Sequence, residues 1–183
     1  MKEERRDITL PLGDVSLNEK LGVYYIDMRP SRVHYTNSIY DGIFDENGVP
    51  MCGDGRGGYY YSTVNICQYA FMVHADYLHE PNQKDYNILL CCLNRLEKTK
   101  YEDDVLIKWV NHYDNLRYDL NAPWSSAMDS GEALSFYLRM FQLTKKKHLL
   151  SSARKIYSFL KLNIQDGGVR VKDENGYIWL EEY

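Results

Sequence analysis

The chain has 183 residues, a length that suits one domain with a sizeable core. It is 44% apolar and 26% charged, and its formal net charge of -4 excludes a general nucleic-acid binder, which needs a basic surface. No stretch nears the roughly 18 to 20 apolar residues of a membrane span. The N-terminal "MKEERRDITL" lacks the apolar run of a signal peptide, so a cytoplasmic location is expected.

Seventeen tyrosines against five phenylalanines fit either a Tyr-rich core or a groove where large rings meet a polar ligand such as a sugar. Cys52, Cys67, Cys91 and Cys92 show no paired metal spacing, and the neighbours Cys91 and Cys92 are poor disulfide partners. Cys67 and Cys91 read as small buried hydrophobes in helical patterns. No metal site, disulfide framework or cofactor is expected.

Residues 1–60 lack helical periodicity and read as an extended, loop-rich segment, with "VYYIDM" a short strand. Asp45-Glu46-Asn47-Gly48 recurs as Asp173-Glu174-Asn175-Gly176, two turns with Gly supplying positive φ. "GDGRGG" lacks the Lys and Ser/Thr of a phosphate loop and reads as a plain loop.

The period then changes. "STVNICQYAFMVHADYL" opens on cap-competent Ser62 and Thr63 and carries two apolar stripes, Val64/Cys67/Phe71/Leu78 and Ile66/Ala70/Val73/Tyr77. Pro81 stops it. "KDYNILLCCLNRLEK" follows, with Tyr86, Leu89, Leu90, Leu93 and Leu96 at helical spacing, and the short link makes the two antiparallel. After a polar stretch with one amphipathic piece, "DVLIKWV", Pro123 and Ser126 with Asp129 mark another helix start resembling a capping box. "SAMDSGEALSFYLRMFQL" is again striped on two sides, Leu134/Tyr137/Leu138/Phe141 and Ala133/Phe136/Met140/Leu143. "TKKK" is a solvated turn into "HLLSSARKIYSFLKL", with Leu149, Ala153, Ile156, Tyr157 and Leu160 inward. "GGVRVKDENGYIWLEEY" alternates around Asn-Gly as a β-hairpin.

The pattern predicts helices over about 62–79, 84–98, 125–143 and 147–162, with a hairpin near 169–182. Paired antiparallel helices buried on two sides suggest a mainly α fold, an arc of an α/α barrel or toroid with a small β-hairpin. Such an arc leaves apolar surface bare at its open end.

Three stretches in order resemble the C-terminal region of the D-glucuronyl C5-epimerases: "GYYYSTVNICQYAFMVHADYL", "APWSSAMDSGEALSFYLRMFQLT" and "GGVRV…YIWLEEY". That family converts D-glucuronate to L-iduronate within polysaccharides such as heparosan, using an α/α-barrel domain and no cofactor. The resemblance implies an isomerase reading, with Tyr183 as catalytic base or acid and Glu182 polarising it. It further implies that Tyr59, Tyr60, Asn65, Gln68, Trp124, Ser125 and Glu181 border the substrate groove. The implied ligand is a uronic-acid-containing polysaccharide, as in glycosaminoglycan or capsule synthesis, with self-association or a complementing downstream chain as further partners.

The chemistry suits these residue types. Epimerisation removes the proton beside a carboxylate and returns one on the other face, so the carboxylate charge must be offset and acid-base groups supplied. The family helix carries a Gln-Gly-Gln-like sequence where this chain has Asp129, Ser130, Gly131 and Glu132, and two added acids would repel a uronate unless they point away. The family also continues past the hairpin with helices and a Tyr/Arg/His-containing segment. The expectation is therefore a partial barrel domain over 61–183, ending after Tyr183 and holding half a site, inactive alone. Two alternatives stand beside it: a lyase-like α/α barrel, since lyases begin with the same proton abstraction, and a non-catalytic polysaccharide-binding remnant.

Overall fold

The computed structural model describes residues 9–13, 21–36, 42–54, 56–115 and 118–182. Five α-helices dominate: α1 (Arg29–Thr36), α2 (Thr63–His79), α3 (Gln83–Thr99), α4 (Ala127–Thr144) and α5 (Lys147–Lys161). Three small antiparallel sheets accompany them, β1–β2–β3 (Ile43–Phe44, Pro50–Gly53, Tyr59–Tyr60), β4–β5 (Tyr101–Glu102, Ile107–Lys108) and β6–β7 (Arg170–Lys172, Ile178–Leu180).

The helix starts are chemically marked. Ser62 Oγ accepts from the Asn65 amide, Asn82 Oδ1 from the Asp85 amide, and Ser126 Oγ from the amides of Met128 and Asp129. Each satisfies donors that the first helical turn leaves without an internal partner. The four long helices lie within two residues of the expected bounds.

α2–α3 and α4–α5 form two antiparallel hairpins, and α2 lies against α4. Gln68 bonds Glu132, Phe71 meets the Phe136 edge at 6.3 Å, and His74 shares a cavity with Arg139. The partner number climbs in step along both helices, so α2 and α4 run parallel. Their shared seam is the core: Ile66, Cys67, Ala70, Phe71 and Val73 against Ala133, Phe136, Tyr137 and Met140, each about fully buried. Burial of each large side chain contributes roughly 1.5–3 kcal/mol.

Several expectations need correction. "VYYIDM" forms no strand; Ile26 makes a single bridge to Leu12. The N-terminal region instead contains α1, eight residues long, whose Arg32 pairs with Asp76 and, at 2.6 Å, with Asp85 at the α2–α3 turn. Two turns of helix are too short to display a period. In α5, Tyr157 points outward and Phe159 is buried in its place. In α2, Leu78 is exposed and lines a surface cavity. Cys92, rather than Cys91, is the fully buried cysteine of α3; Cys91 is half-buried, and none of the four cysteines is in a disulfide.

Both Asp-Glu-Asn-Gly turns form as expected and share one construction. Asp45 Oδ1 accepts from the amides of Asn47 and Val49, and Asp173 Oδ1 from those of Asn175 and Tyr177. Gly48 and Gly176 take φ of 76° and 89°, the left-handed region that favours glycine. Among the described residues, no helix is long and apolar enough to cross a membrane.

Candidate functional site

The parallel arrangement of α2 and α4 puts both helix N-termini at one end of the seam, and three loops converge there. In the first, β2 and β3 pair Cys52 with Tyr60, which sets Tyr60 beside the start of α2. In the second, Asn111 and Trp124 exchange backbone hydrogen bonds at 2.7 and 3.1 Å. This closes the loop before α4 and carries Tyr113 and Trp124 into contact. The Trp124 indole donates to the Tyr113 carbonyl at 2.8 Å, and their rings meet edge to face at 5.5 Å. Tyr60 lies on the other side of Tyr113, ring centroids 4.5 Å apart.

The third is the chain after β7. The Ala127 amide donates to the Glu181 carbonyl at 2.9 Å, and the Glu181 amide to the Val169 carbonyl at 2.7 Å. Glu182 is thereby held at the N-terminus of α4. It lines a pocket of about 170 Å³ with Tyr113, Trp124, Ser126 and Asp129. A wider cavity of about 770 Å³ adjoins it, sharing Tyr113 and Asn115 and adding Tyr60, Arg56, His112 and the two acids Asp54 and Asp114. Aromatic walls suit a sugar ring, and the polar lining mixes one cation and an imidazole with two carboxylates.

The two carboxyls that depart from the family pattern are both buried. Asp129 is 3% exposed, with Oδ2 accepting from the Asn111 amide at 2.8 Å. Burial pushes its pKa up to about 6, hydrogen bonds from Asn111 and the Val64 amide draw it back, and the Glu182 charge adds to the rise. Glu132 is 9% exposed; Oε1 accepts from Gln68 at 3.1 Å while Oε2 has no partner. Burial lifts its pKa to about 7, against the Gln68 hydrogen bond and with small contributions from Asp129 and Glu182. Near neutrality Glu132 therefore holds its proton about half the time, whereas Asp129 is mostly ionised and gains a proton only as pH falls towards 6. The expected repulsion of a uronate is reduced at Glu132 and persists at Asp129 near neutral pH.

The expected groove residues fall into distinct positions. Glu182, Trp124 and Tyr60 line the two cavities. Glu181 acts through its backbone, as the link to Ala127. Gln68 holds Glu132. Asn65 receives the Tyr35 hydroxyl at 2.7 Å and reaches Cys52 Sγ at 3.2 Å, behind the pocket wall. Ser125 is half-buried in the loop before α4, and Tyr59 is 47% exposed on β3. Tyr183 lies outside the described residues.

Sequence reading missed Tyr113, Asn111, Asn115, Arg56 and His112. Their stretches carry no periodicity; the Asn111–Trp124 closure brings the residues at 111–115 to the helix ends, and the β2–β3 pairing brings Arg56. Among the described residues, no group of three or more His, Cys, Asp and Glu side chains is placed to hold a metal ion.

Residues 102–183 match the family model described as D-glucuronyl C5-epimerase C-terminus. Sixty residues are 42% identical to a D-glucuronyl C5-epimerase of Caenorhabditis elegans, covering 33% of this chain and 10% of that protein. No solved structure matches the chain.

Proposed function

We propose, from the match of residues 102–183 to the D-glucuronyl C5-epimerase C-terminus, that the chain is a member of that family and acts on glucuronate in a polysaccharide. The reaction is C5 epimerisation. A base takes the C5 proton, the electron pair moves into the carboxylate as an enediolate, and an acid returns a proton to the opposite face. The observation that carries this reading is the pocket where Glu182 and the largely buried Asp129 meet beneath the Tyr113 and Trp124 rings.

In this reading Glu182 and Tyr183 form the acid-base pair, and Tyr60, Tyr113 and Trp124 seat the sugar. Arg56 and His112 are the groups in the adjoining cavity that can offset the uronate charge, against the opposing carboxylates of Asp54 and Asp114. In its protonated form, the minor one near neutral pH, Asp129 donates a hydrogen bond to the enediolate, where negative charge builds up. Asn65, Gln68, Ser125, Tyr59 and Glu181 support this wall from behind or from its rim. The helix arrangement supports an arc of an α/α barrel, with α2 and α4 on the inner side and α3 and α5 outside. Acid-base groups on two faces are needed, and both carboxylates of the smaller pocket, Asp129 and Glu182, lie at the N-terminus of α4. This wall alone should therefore turn over slowly.

The test is deuterium wash-in at C5 of a glucuronate-containing polysaccharide such as heparosan. Slow exchange, abolished by Glu182→Gln, is expected. An ultraviolet-absorbing unsaturated product would replace the proposal with a lyase. Tight polysaccharide binding with no exchange, even at high protein concentration, would replace it with a non-catalytic binder.

A further inference from the structure

Arg139 sits on α4 ten residues past Asp129, about 15 Å along the helix axis and away from the carboxylate pocket. It is 7% exposed. Its Nη1 donates to the Ser135 carbonyl at 3.2 Å and to Ser135 Oγ at 2.5 Å, but Nε is buried with no partner. The guanidinium carbon lies 5.3 Å from the Tyr24 ring centre and 5.7 Å from that of Phe71. Among the described residues no carboxylate pairs with it, whereas Arg29, Arg32 and Arg95 each have one.

A buried guanidinium without a counter-charge is costly, and ring contacts offset only part of its lost hydration. The environment registers this: burial lowers the Arg139 pKa, and burial followed by the Arg139 charge pushes the His74 imidazole down to about 4. His74 is thus neutral at pH 7 and can donate one N–H. Both residues open onto a cavity of about 410 Å³ whose wall also includes Gln142 and Lys145. No acidic residue lines it among the described residues. A buried cation lining a roomy cavity, with a second cation beside it and no acid among the described residues, lacks one component, an anion.

We propose that this cavity is an oxyanion-binding site, separate from the carboxylate pocket, in which Arg139 pairs with a carboxylate or sulfate group. Planar guanidinium geometry suits such groups, and the volume accommodates a sugar ring carrying one. Lys145, at the α4 C-terminus with φ of 59°, adds charge at the entrance. His74 and Gln142 supply neutral polar contacts at the wall.

The experiment is thermal unfolding of the full chain in sodium sulfate against sodium chloride at matched ionic strength, with parallel arms in sodium glucuronate and in heparosan oligosaccharides. Sulfate at tens of millimolar should raise the wild-type Tm by several degrees over chloride. Lys145→Gln should at least halve the increment, and Arg139→Met should abolish it. A response to glucuronate or oligosaccharide as well would assign the natural source to a sugar acid, and a response to sulfate alone would assign it to a sulfate group. Should Arg139→Met fail to fold, Lys145→Gln and the Arg139 Nε–H resonance of the wild type still decide, since that resonance must shift with sulfate. Equal Tm values in sulfate and chloride, or an unchanged increment in Arg139→Met, would overturn the site.

Discussion

The Ala127 amide and the Glu181 carbonyl meet at 2.9 Å, joining the first residue of α4 to the segment just past the last strand. One backbone hydrogen bond thus serves as a helix cap and as the anchor that brings Glu182 to Asp129. Proline at the first helical position suits a helix while removing that N–H. The preceding Ser126 is already extended, φ -122° and ψ 140°, as a residue before proline requires. Ala127→Pro should therefore keep α4 and lose about 1 kcal/mol from the missing bond. Hydrogen exchange should show faster opening at residues 181–182 with α4 still protected. Unchanged protection there would mean that the anchor lies elsewhere.

The buried acids predict an unusual pH dependence. Asp129 at about 6 and Glu132 at about 7 keep protons that the unfolded chain, with ordinary values of 3.8 and 4.5, has released. The folded state binds more protons in this window, so these groups favour folding below about pH 4 and that stability is lost as pH rises through 6 to 7. Each displacement is worth about 3 kcal/mol as an upper bound. His74, pushed down from 6.5 to about 4, runs the other way, gaining stability as pH rises from about 4 to 6.5. A comparison of variants removes its contribution. The double variant Asp129→Asn, Glu132→Gln retains acceptors for Asn111 and Gln68. It should match the wild type near pH 4 and exceed its Tm by several degrees at pH 8. Parallel Tm curves from pH 4 to 8 would show that neither acid is displaced.

These two acids also show where sequence reading stops. The four long helices and both Asp-Glu-Asn-Gly turns are local: apolar stripes, Ser or Asn caps and glycines at positive φ lie within a few residues of one another. Whether Asp129 repels or welcomes a uronate depends instead on Asn111, 18 positions away, and on burial that no local pattern records. Tyr113 was invisible for the same reason, since its neighbours Tyr60 and Trp124 approach from separate loops. α1 was missed because eight residues hold too little period, and its attachment is the ionic contact of Arg32 with the α2–α3 turn.

The aromatic wall separates two tyrosines that adjoin in sequence. Tyr60 packs on Tyr113 and lines the wide cavity, whereas Tyr59 is half-exposed on β3 and lines neither cavity. Tyr113→Ala removes the ring between Tyr60 and Trp124, and binding of heparosan oligosaccharides should weaken about tenfold, near 1.4 kcal/mol. Tyr59→Ala should change affinity less than twofold. Calorimetric titration checks both, and equal losses would mean that the sugar lies along the outer face of β3 instead.

The β6–β7 hairpin makes a different demand on its side chains. Val171 faces Trp179 across the pair, yet Tyr177, Ile178, Trp179 and Leu180 are each more than half exposed, Trp179 at 59%. Only the Trp179 indole is tied, donating to Asp173 Oδ2 at 3.1 Å in the adjoining turn. Successive strand side chains point to opposite faces, so Tyr177 and Trp179 open on one side and Ile178 and Leu180 on the other, and such exposed apolar surface can bind partners or aggregate. They contribute little to the fold, because surface substitutions away from buried contacts usually change stability by less than about 0.5 kcal/mol. Trp179→Ser should therefore leave Tm within about 2 °C of the wild type. It should also lower the fluorescence of a hydrophobic dye bound to the folded chain and reduce any self-association seen by sedimentation. A Tm loss of many degrees would show that Trp179 is structural. Unchanged dye binding would place the sticky surface elsewhere, with the half-buried outer stripe of Leu138 and Phe141 on α4 the next to test.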